Sequence, residues 1–234
     1  MRRALVLVIL LVVLVVGAAG VARSSVFGLH TLVVTGPGGP FVTEQSLGVT
    51  RNTSLLLVSD RDLATRAVAA DPWAASAQVR AVLPHELEIQ LTGRTAVALV
   101  RDGAIVWSVD ATGMVLPATA KERLSLPYLS GVPSPTASLV ADTAPALLAA
   151  AGVAAALPAS VRGQVSEVHA LSGGQAFELI LMDGRPVELG APTALAAKLR
   201  LLPLLLARYP WPEYAGTGFD LRNPRRPSLY SVGR

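Results

Sequence analysis

Cysteine is absent from this chain of 234 residues. A chain without cysteine forms no disulfide bond and binds no metal through thiolates, so its hydrophobic core must hold the folded part together. Hydrophobic residues make up 52% of the sequence, which is enough for a sizeable core. The length suits one large domain or two small ones.

Lysine is also scarce, and aromatic residues make up only 5% of the chain. Lysine occurs only at Lys121 and Lys198, and the formal net charge of +4 comes mostly from arginines near the two ends. Nucleic-acid surfaces usually interleave basic and aromatic side chains, and no such pattern occurs here. We therefore predict no nucleic-acid partner. The terminal arginines are Arg2, Arg3, Arg23, Arg222, Arg225, Arg226 and Arg234.

Motifs for catalysis and metal binding are incomplete. His85-Glu86 begins like H-E-x-x-H, but Ile89 stands where the second histidine would be, and the three histidines have no metal-ligand spacing. Residues 171–175, LSGGQ, spell the signature of ABC-transporter ATPases, yet no G-x-x-x-x-G-K-[ST] loop accompanies them. No G-x-S-x-G elbow is present. The sequence therefore predicts a protein that is not an enzyme and has no metal, cofactor or small-molecule substrate.

A long apolar run occupies residues 4–22. As a helix it spans roughly 28 Å, close to the hydrocarbon thickness of a bilayer. Arg2 and Arg3 precede it, so the positive-inside rule predicts a cytoplasmic tail of residues 1–3 and an exported body. Alternatively, residues 5–16 form the hydrophobic core of a cleaved signal peptide, and residues 20–22 provide small residues at the spacing that signal peptidase recognises. The length of the run favours a retained transmembrane helix.

After a linker at 23–29, the pattern predicts a small α/β domain over residues 30–100. A strand at 30–34 and a turn at 36–40 are followed by a short helix capped by Thr43. Ser59 or Asp60 caps a second helix over 61–70, and two strands follow at 77–83 and 87–91, with 95–100 extending the pairing. The expected shared core comprises Leu63, Val68, Val79, Leu87 and Ile89.

Residues 101–234 are predicted to form a β-rich second domain. A hairpin is expected over 104–116, and the segment 117–144, rich in proline, serine and threonine, is expected to be irregular with no assigned role. A helix at 144–157 precedes strands at 161–171 and 176–182, which are expected to pair around a turn at 172–175, and a further strand at 186–189. Thr193 is expected to cap a helix over 194–209, and Pro203 is expected to kink that helix or to start a new turn. Residues 219–221 are expected to form the last strand.

Eight features in order resemble the FtsQ/DivIB family of bacterial cell-division proteins, over nearly the whole chain. The first is a single N-terminal anchor with a tiny cytoplasmic tail. Ala74, Leu83 and the pair Thr95-Ala96 depart from the motifs of the family. The other seven features are the segments 32–36 (LVVTG), 43–44 (TE), 71–79 (DPWAASAQV), 83–89 (LPHELEI), 94–98 (RTAVA), 109–115 (VDATGMV) and 219–222 (FDLR).

The resemblance implies an α+β fold: a single N-terminal transmembrane helix, a POTRA-like domain of order β-α-α-β-β, then a β-rich domain with a C-terminal helix and a last edge strand. It implies a single-pass scaffold of the inner membrane at the division septum, which binds FtsB and FtsL and links early and late septal assembly. Two alternatives are an exported POTRA-bearing transport or assembly protein, and a secreted binding protein with a cleaved signal peptide.

The C-terminal region is the expected partner site. In the family this region docks FtsB, and a late strand commonly lies at a sheet edge, where unpaired backbone groups accept another strand. Its apolar residues would contact the partner, and its arginines would attract an acidic segment. The predicted partner-binding residues are Phe219, Asp220, Leu221, Arg222, Arg225, Leu229 and Tyr230.

Overall fold

The computed structural model describes residues 2–22, 24–37, 39–135, 140–141 and 144–232, and of residues 2–8, 18, 140 and 141 it describes only the backbone. The chain divides into two compact units, Met1–Arg94 and Thr95–Arg234.

The first unit begins with a helix and continues as a small α/β fold. Among the described residues, no helix combines the length and the apolar content required to cross a membrane. The predicted span at 4–22 includes residues 4–8 and 18, whose side chains lie outside the described set. The elements of this unit are α1 (Arg2–Ala22), β1 (Thr31–Thr35), α2 (Glu44–Leu47), α3 (Asp60–Ala70), β2 (Ala74–Val82) and β3 (Glu86–Gly93).

The sheet of the first unit has the order β1-β3-β2, with β1 parallel and β2 antiparallel to β3. The predicted helix caps are confirmed: the hydroxyls of Thr43 and Ser59 accept the backbone N–H groups of Ser46 and Asp62. Leu63 in α3 is buried against Leu87 and Ile89 in β3, while Val68 and Val79 of the predicted core are only partly buried. The predicted order β-α-α-β-β is therefore the observed one.

The second unit contains ten strands and four helices among its described residues. Its strands are β4 (Ala96–Asp102), β5 (Ile105–Asp110), β6 (Met114–Pro117), β7 (Tyr128–Ser130), β8 (Val140–Ala141), β9 (Val165–Leu171), β10 (Ala176–Leu181), β11 (Pro186–Gly190), β12 (Thr217–Asp220) and β13 (Ser228–Ser231). Its helices are α4 (Ala120–Ser125), α5 (Pro145–Ala156), α6 (Ala159–Arg162) and α7 (Leu195–Arg208).

All ten strands form one sheet of order β13-β12-β11-β10-β9-β7-β4-β5-β6-β8. The sequence placed 95–100 with the strands of the first unit, which is wrong, because β4 pairs with β5 and β7. The predicted hairpins β5–β6 and β9–β10 are confirmed, and residues 172–175 form the turn of the second hairpin. Backbone hydrogen bonds from Gly174 and Gln175 to the carbonyl of Leu171 close that turn.

The core of the second unit lies between one face of this sheet and helices α5 and α7. Six of the twelve residues of α5 are buried, most of them alanines, and their small side chains let the helix lie close to the sheet. Leu199 and Leu202 of α7 are buried in the same cluster as Phe177 and Val187 of the sheet. Burial of this apolar surface is the main source of stability for the unit.

Three expectations for the second half are corrected. The segment 117–144 is not irregular throughout: α4 begins at a capping box of Thr119 and Glu122, and β7 lies inside the sheet between β4 and β9. Thr193 does not cap α7, because Ala194 occupies the N-cap position without a side-chain hydrogen bond. Residues 161–162 belong to α6 rather than to the strand that follows.

Candidate partner-binding edge at the C-terminus

The last strand of the chain, β13, ends the sheet. It pairs antiparallel with β12, placing Thr217 opposite Ser231 and Asp220 opposite Ser228. On its other side β12 runs parallel to β11, with Phe219 opposite Val187. The prediction that 219–221 form an edge strand is therefore wrong: β12 is interior, and within the described residues β13 is the edge.

The pairing of β13 with β12 determines which backbone groups of β13 point away from the sheet. The N–H of Val232 donates to the carbonyl of Gly216 at 2.9 Å, so this N–H points toward the sheet. Backbone groups of successive residues in a strand point to alternate sides. Tyr230 therefore also points its backbone groups inward, while Leu229 and Ser231 present their N–H and C=O groups at the open edge. A strand from another chain can pair with these groups.

Phe219 and Leu221 do not lie at this edge. Both side chains are fully buried in the core of the second unit. The guanidinium of the buried Arg185 lies 5.2 Å from the centre of the Phe219 ring and donates to the carbonyl of Tyr209 at 2.7 Å. Phe219 thus connects β12 to the end of α7, and neither predicted apolar contact is available to a partner.

Asp220 and Arg222 form a charged cluster on the opposite face of the sheet. The Nη2 of Arg222 lies 2.6 Å from Oδ2 of Asp220, and its Nε lies 3.2 Å from Oε2 of Glu188 on β11. The hydrogen bond from Arg222 holds the pKa of the Asp220 carboxyl below its ordinary value. Burial lowers the pKa of Lys198, which donates to the carbonyls of Leu189 and Ala191 at 2.7 Å each.

Tyr230 holds the edge strand against this face. Its ring covers the space where Gly218 on β12 has no side chain. Its hydroxyl lies near the carboxylate of Glu188 on β11. Burial, followed by the charges of Glu188 and Glu178, raises the pKa of Tyr230 to about 12, so the hydroxyl remains protonated at neutral pH. The ring of Tyr230 therefore packs β13 against β12 at the position of Gly218.

The remaining predicted residues lie nearby. Arg225 is exposed in the turn between β12 and β13, where its N–H donates to the side chain of Asn223 at 3.0 Å. Leu229 is 37% exposed, opposite the buried Phe219 in the register. The structure thus brings Asp220, Arg222 and Tyr230 together with Glu188.

Sequence reasoning missed Glu188, Gly218 and Ser231 in this region. The β-prone residues Tyr230 and Val232, shortly after Pro227, were the available signal for a short edge strand.

A second polar group lies on β7 and β9, but its geometry does not support nucleophilic catalysis. The hydroxyl of Ser130 lies 2.6 Å from Nδ1 of His169 and also donates to Glu167. The Glu167 carboxylate is 3.6 Å from the same ring nitrogen. In a catalytic triad the hydroxyl and the carboxylate bond to opposite ring nitrogens, so this arrangement relays no proton. Among the side chains that the structure describes, no three candidate ligands are grouped around a metal site.

Two family models match this chain. Residues 98–222 match the model described as "Cell division protein FtsQ/DivIB, C-terminal". Residues 44–94 match the model described as "POTRA domain, FtsQ-type". The boundary between the matches lies beside the division of the structure into Met1–Arg94 and Thr95–Arg234.

Known relatives agree with these matches. The cell division protein FtsQ of Anaeromyxobacter sp. (strain K) is 32% identical over 182 residues, which cover 76% of this chain and 61% of that protein. The cell division protein FtsQ of Koribacter versatilis (strain Ellin345) is 36% identical over 63 residues, covering 26% of this chain and 18% of that protein. The aligned residues thus span less than two thirds of each relative.

Among solved structures, the major extracytoplasmic domain of the cell division protein DivIB from Geobacillus stearothermophilus is similar at 21% identity and a TM-score of 0.35, covering 50% of this chain and 93% of that one. The C-terminal family model alone covers more than half of the sequence. The chain belongs to the FtsQ/DivIB family of cell division proteins.

Proposed function

We propose that this protein is a membrane-anchored scaffold of the bacterial divisome that binds FtsB-like and FtsL-like partners at the septum and links early and late septal assembly. Membership of the FtsQ/DivIB family supports the role in division. The chain acts by binding rather than by catalysis, as the incomplete catalytic motifs suggest.

The anchor of the proposed scaffold is the apolar segment 4–22. Support comes from its length without a charged side chain and from Arg2 and Arg3 before it, which favour a cytoplasmic N-terminus. The bulk of the chain then lies outside the cytoplasmic membrane. N-terminal sequencing of protein purified from membranes tests this assignment. We expect a chain that retains residues 1–22, whereas a mature chain that begins near Arg23 would contradict the assignment of 4–22 as a retained anchor.

The proposed partner site is the open edge of β13. The observation that carries it is the orientation of β13, which leaves the backbone groups of Leu229 and Ser231 outside the β12–β13 ladder. A partner strand added here gains main-chain hydrogen bonds, and the half-exposed Leu229 adds apolar contact. Arg225, exposed in the turn before β13, would attract an acidic partner segment, whereas the guanidinium of Arg222 is already paired with Asp220 and Glu188.

A proline at position 231 tests this edge directly. Because the N–H of Ser231 points away from β12, Ser231→Pro removes a donor for the partner strand and spares the internal ladder. The matched control Ser231→Ala keeps the N–H. We expect the full-length proline variant to lose capture of an FtsB-like partner from the same organism in a membrane pulldown, while the alanine variant captures it at the level of the unchanged chain.

Capture at full strength by the proline variant would place the partner site elsewhere. Deletion of 219–234 would be a poorer test, because it also removes the second half of β12 with the buried Phe219, so that loss of capture could reflect unfolding of the second unit.

A further inference from the structure

The first unit carries exposed apolar side chains beside the end of α1. Val26, Leu56 and Leu57 are 59%, 45% and 60% exposed, respectively. We call these three side chains the loop patch. Adjacent leucines in water are unusual in a loop, because burial of each would gain free energy, and such exposed groups often mark a binding surface.

Backbone contacts fix the position of the loop patch. Gly28 and Ser54 form an isolated antiparallel bridge, and the N–H of Leu55 donates to the carbonyl of Phe27 at 2.8 Å. Leu56 and Leu57 therefore continue directly from a segment that runs alongside residues 27–28. Val26 precedes the same pairing on the other segment, so both sides of the loop patch lie at this end of the unit.

A further contact ties this loop to the end of α1. The hydroxyl of Ser54, which is 8% exposed, donates to the carbonyl of Ala22 at 2.5 Å. Ala22 is the last residue of α1, and its carbonyl has no acceptor role inside the helix. The hydrogen bond therefore places Leu56 and Leu57 within a few residues of the point where the apolar segment ends.

We infer that the loop patch inserts into the outer leaflet of the membrane that α1 crosses. This inference rests on the proposed anchor: if α1 spans the bilayer, Ala22 lies at its outer surface, and the loop tied to Ala22 lies at the same depth. Leucine and valine side chains at this depth are buried among the acyl chains and headgroups, as in interfacial proteins. The first unit is then seated on the bilayer rather than tethered freely above it.

The absence of cysteine makes a site-specific test simple, because each introduced cysteine carries the only label. The full-length variants Leu57→Cys, Val13→Cys and Phe41→Cys are labelled with an environment-sensitive fluorophore. They are reconstituted in vesicles of phosphatidylethanolamine and phosphatidylglycerol that contain nitroxide-labelled lipid. Val13 lies within α1 and reports on the anchor itself.

Phe41 is the matched control for the loop patch. It is also apolar and 55% exposed, but it follows β1, which leads away from Gly28 by roughly 13 Å along its five residues. We expect blue-shifted and nitroxide-quenched emission from labels at positions 13 and 57, and unshifted, unquenched emission from the label at position 41.

The outcomes separate the two proposals. Quenching at position 13 with an aqueous signal at position 57 would overturn the inference and leave the anchor intact. An aqueous signal at position 13 would overturn the anchor and the inference together. Equal quenching at 41 and 57 would also overturn the inference, because it would show that the label, rather than the loop patch, seeks the membrane.

Discussion

Gly218→Ala tests the contact by which Tyr230 holds the edge strand. A Cβ atom at position 218 would overlap the Tyr230 ring and lie only 2.6 Å from Oη and 2.7 Å from Cε1. The backbone of Gly218 has no positive φ, so alanine meets no conformational strain there. The clash with Tyr230 is therefore the dominant effect of this substitution.

The expected loss of folding free energy comes from the packing contacts that the Tyr230 ring gives up when the methyl group at position 218 displaces it. Overpacking at this position costs about 1–3 kcal/mol, because the added methyl group forces the ring out of its packed position. Replacement of glycine in a strand offsets about 0.5–1 kcal/mol, because the unfolded chain loses entropy. We expect Gly218→Ala to lower the free energy of unfolding of the second unit by about 1–2 kcal/mol.

A double-mutant cycle tests whether the clash with Tyr230 causes this loss of stability. Without the ring the added methyl group has space, so in a Tyr230→Ala background Gly218→Ala should be neutral or slightly stabilising. Urea unfolding of the full chain in detergent measures the four free energies, and we expect a coupling of at least about 1 kcal/mol between the two positions. Equal destabilisation by Gly218→Ala in both backgrounds would refute the proposed contact.

Two further predictions concern the core and the charged cluster. Ile89→Asp places a carboxylate at a site that is 1% exposed and should lower the stability of the first unit by several kcal/mol. The control Gln90→Asp, on the exposed side of the same strand, should have little effect. Equal melting temperatures for the two variants would refute the assignment of residue 89 to the buried face. Asp220→Asn should cost less than about 1 kcal/mol at pH 7, because Arg222 is exposed. Folding lowers the pKa of Asp220 from its value of 3.8 in the unfolded chain. The ionised carboxylate therefore stabilises the folded state above pH 3.8, and this stabilisation is lost as the pH falls through the pKa of the folded state. Urea titrations at pH 7 and pH 3 measure this difference, and a cost of Asp220→Asn that did not shrink at acid pH would contradict it.

Local signals in the sequence predicted the elements that depend on neighbouring residues. The caps at Thr43 and Ser59 require only a side chain and the next turn of helix, and both are present. The turn at 172–175 likewise joins two strands that are adjacent in sequence. Such contacts leave a pattern within a few residues, which explains why they can be predicted.

Pairings between distant segments could not be predicted in the same way. The short strand β7 is paired with β4 and β9, and neither pairing is encoded in its three residues. The same limit applies to β12, whose alternating residues indicate a strand but not whether another strand lies beyond it. With β13 at the edge instead of β12, Phe219 and Leu221 leave the candidate site, Leu229 stays in it, and Ser231 is added.

The most direct test of the proposed partner site is backbone amide protection, measured by NMR on the full chain in nanodiscs with and without an FtsB-like partner. The inward N–H groups of Tyr230 and Val232 should be protected from exchange in both states. The outward N–H groups of Leu229 and Ser231 should become protected only when the partner is bound. Protection that appears elsewhere on the chain, with Leu229 and Ser231 unchanged, would contradict strand addition at β13.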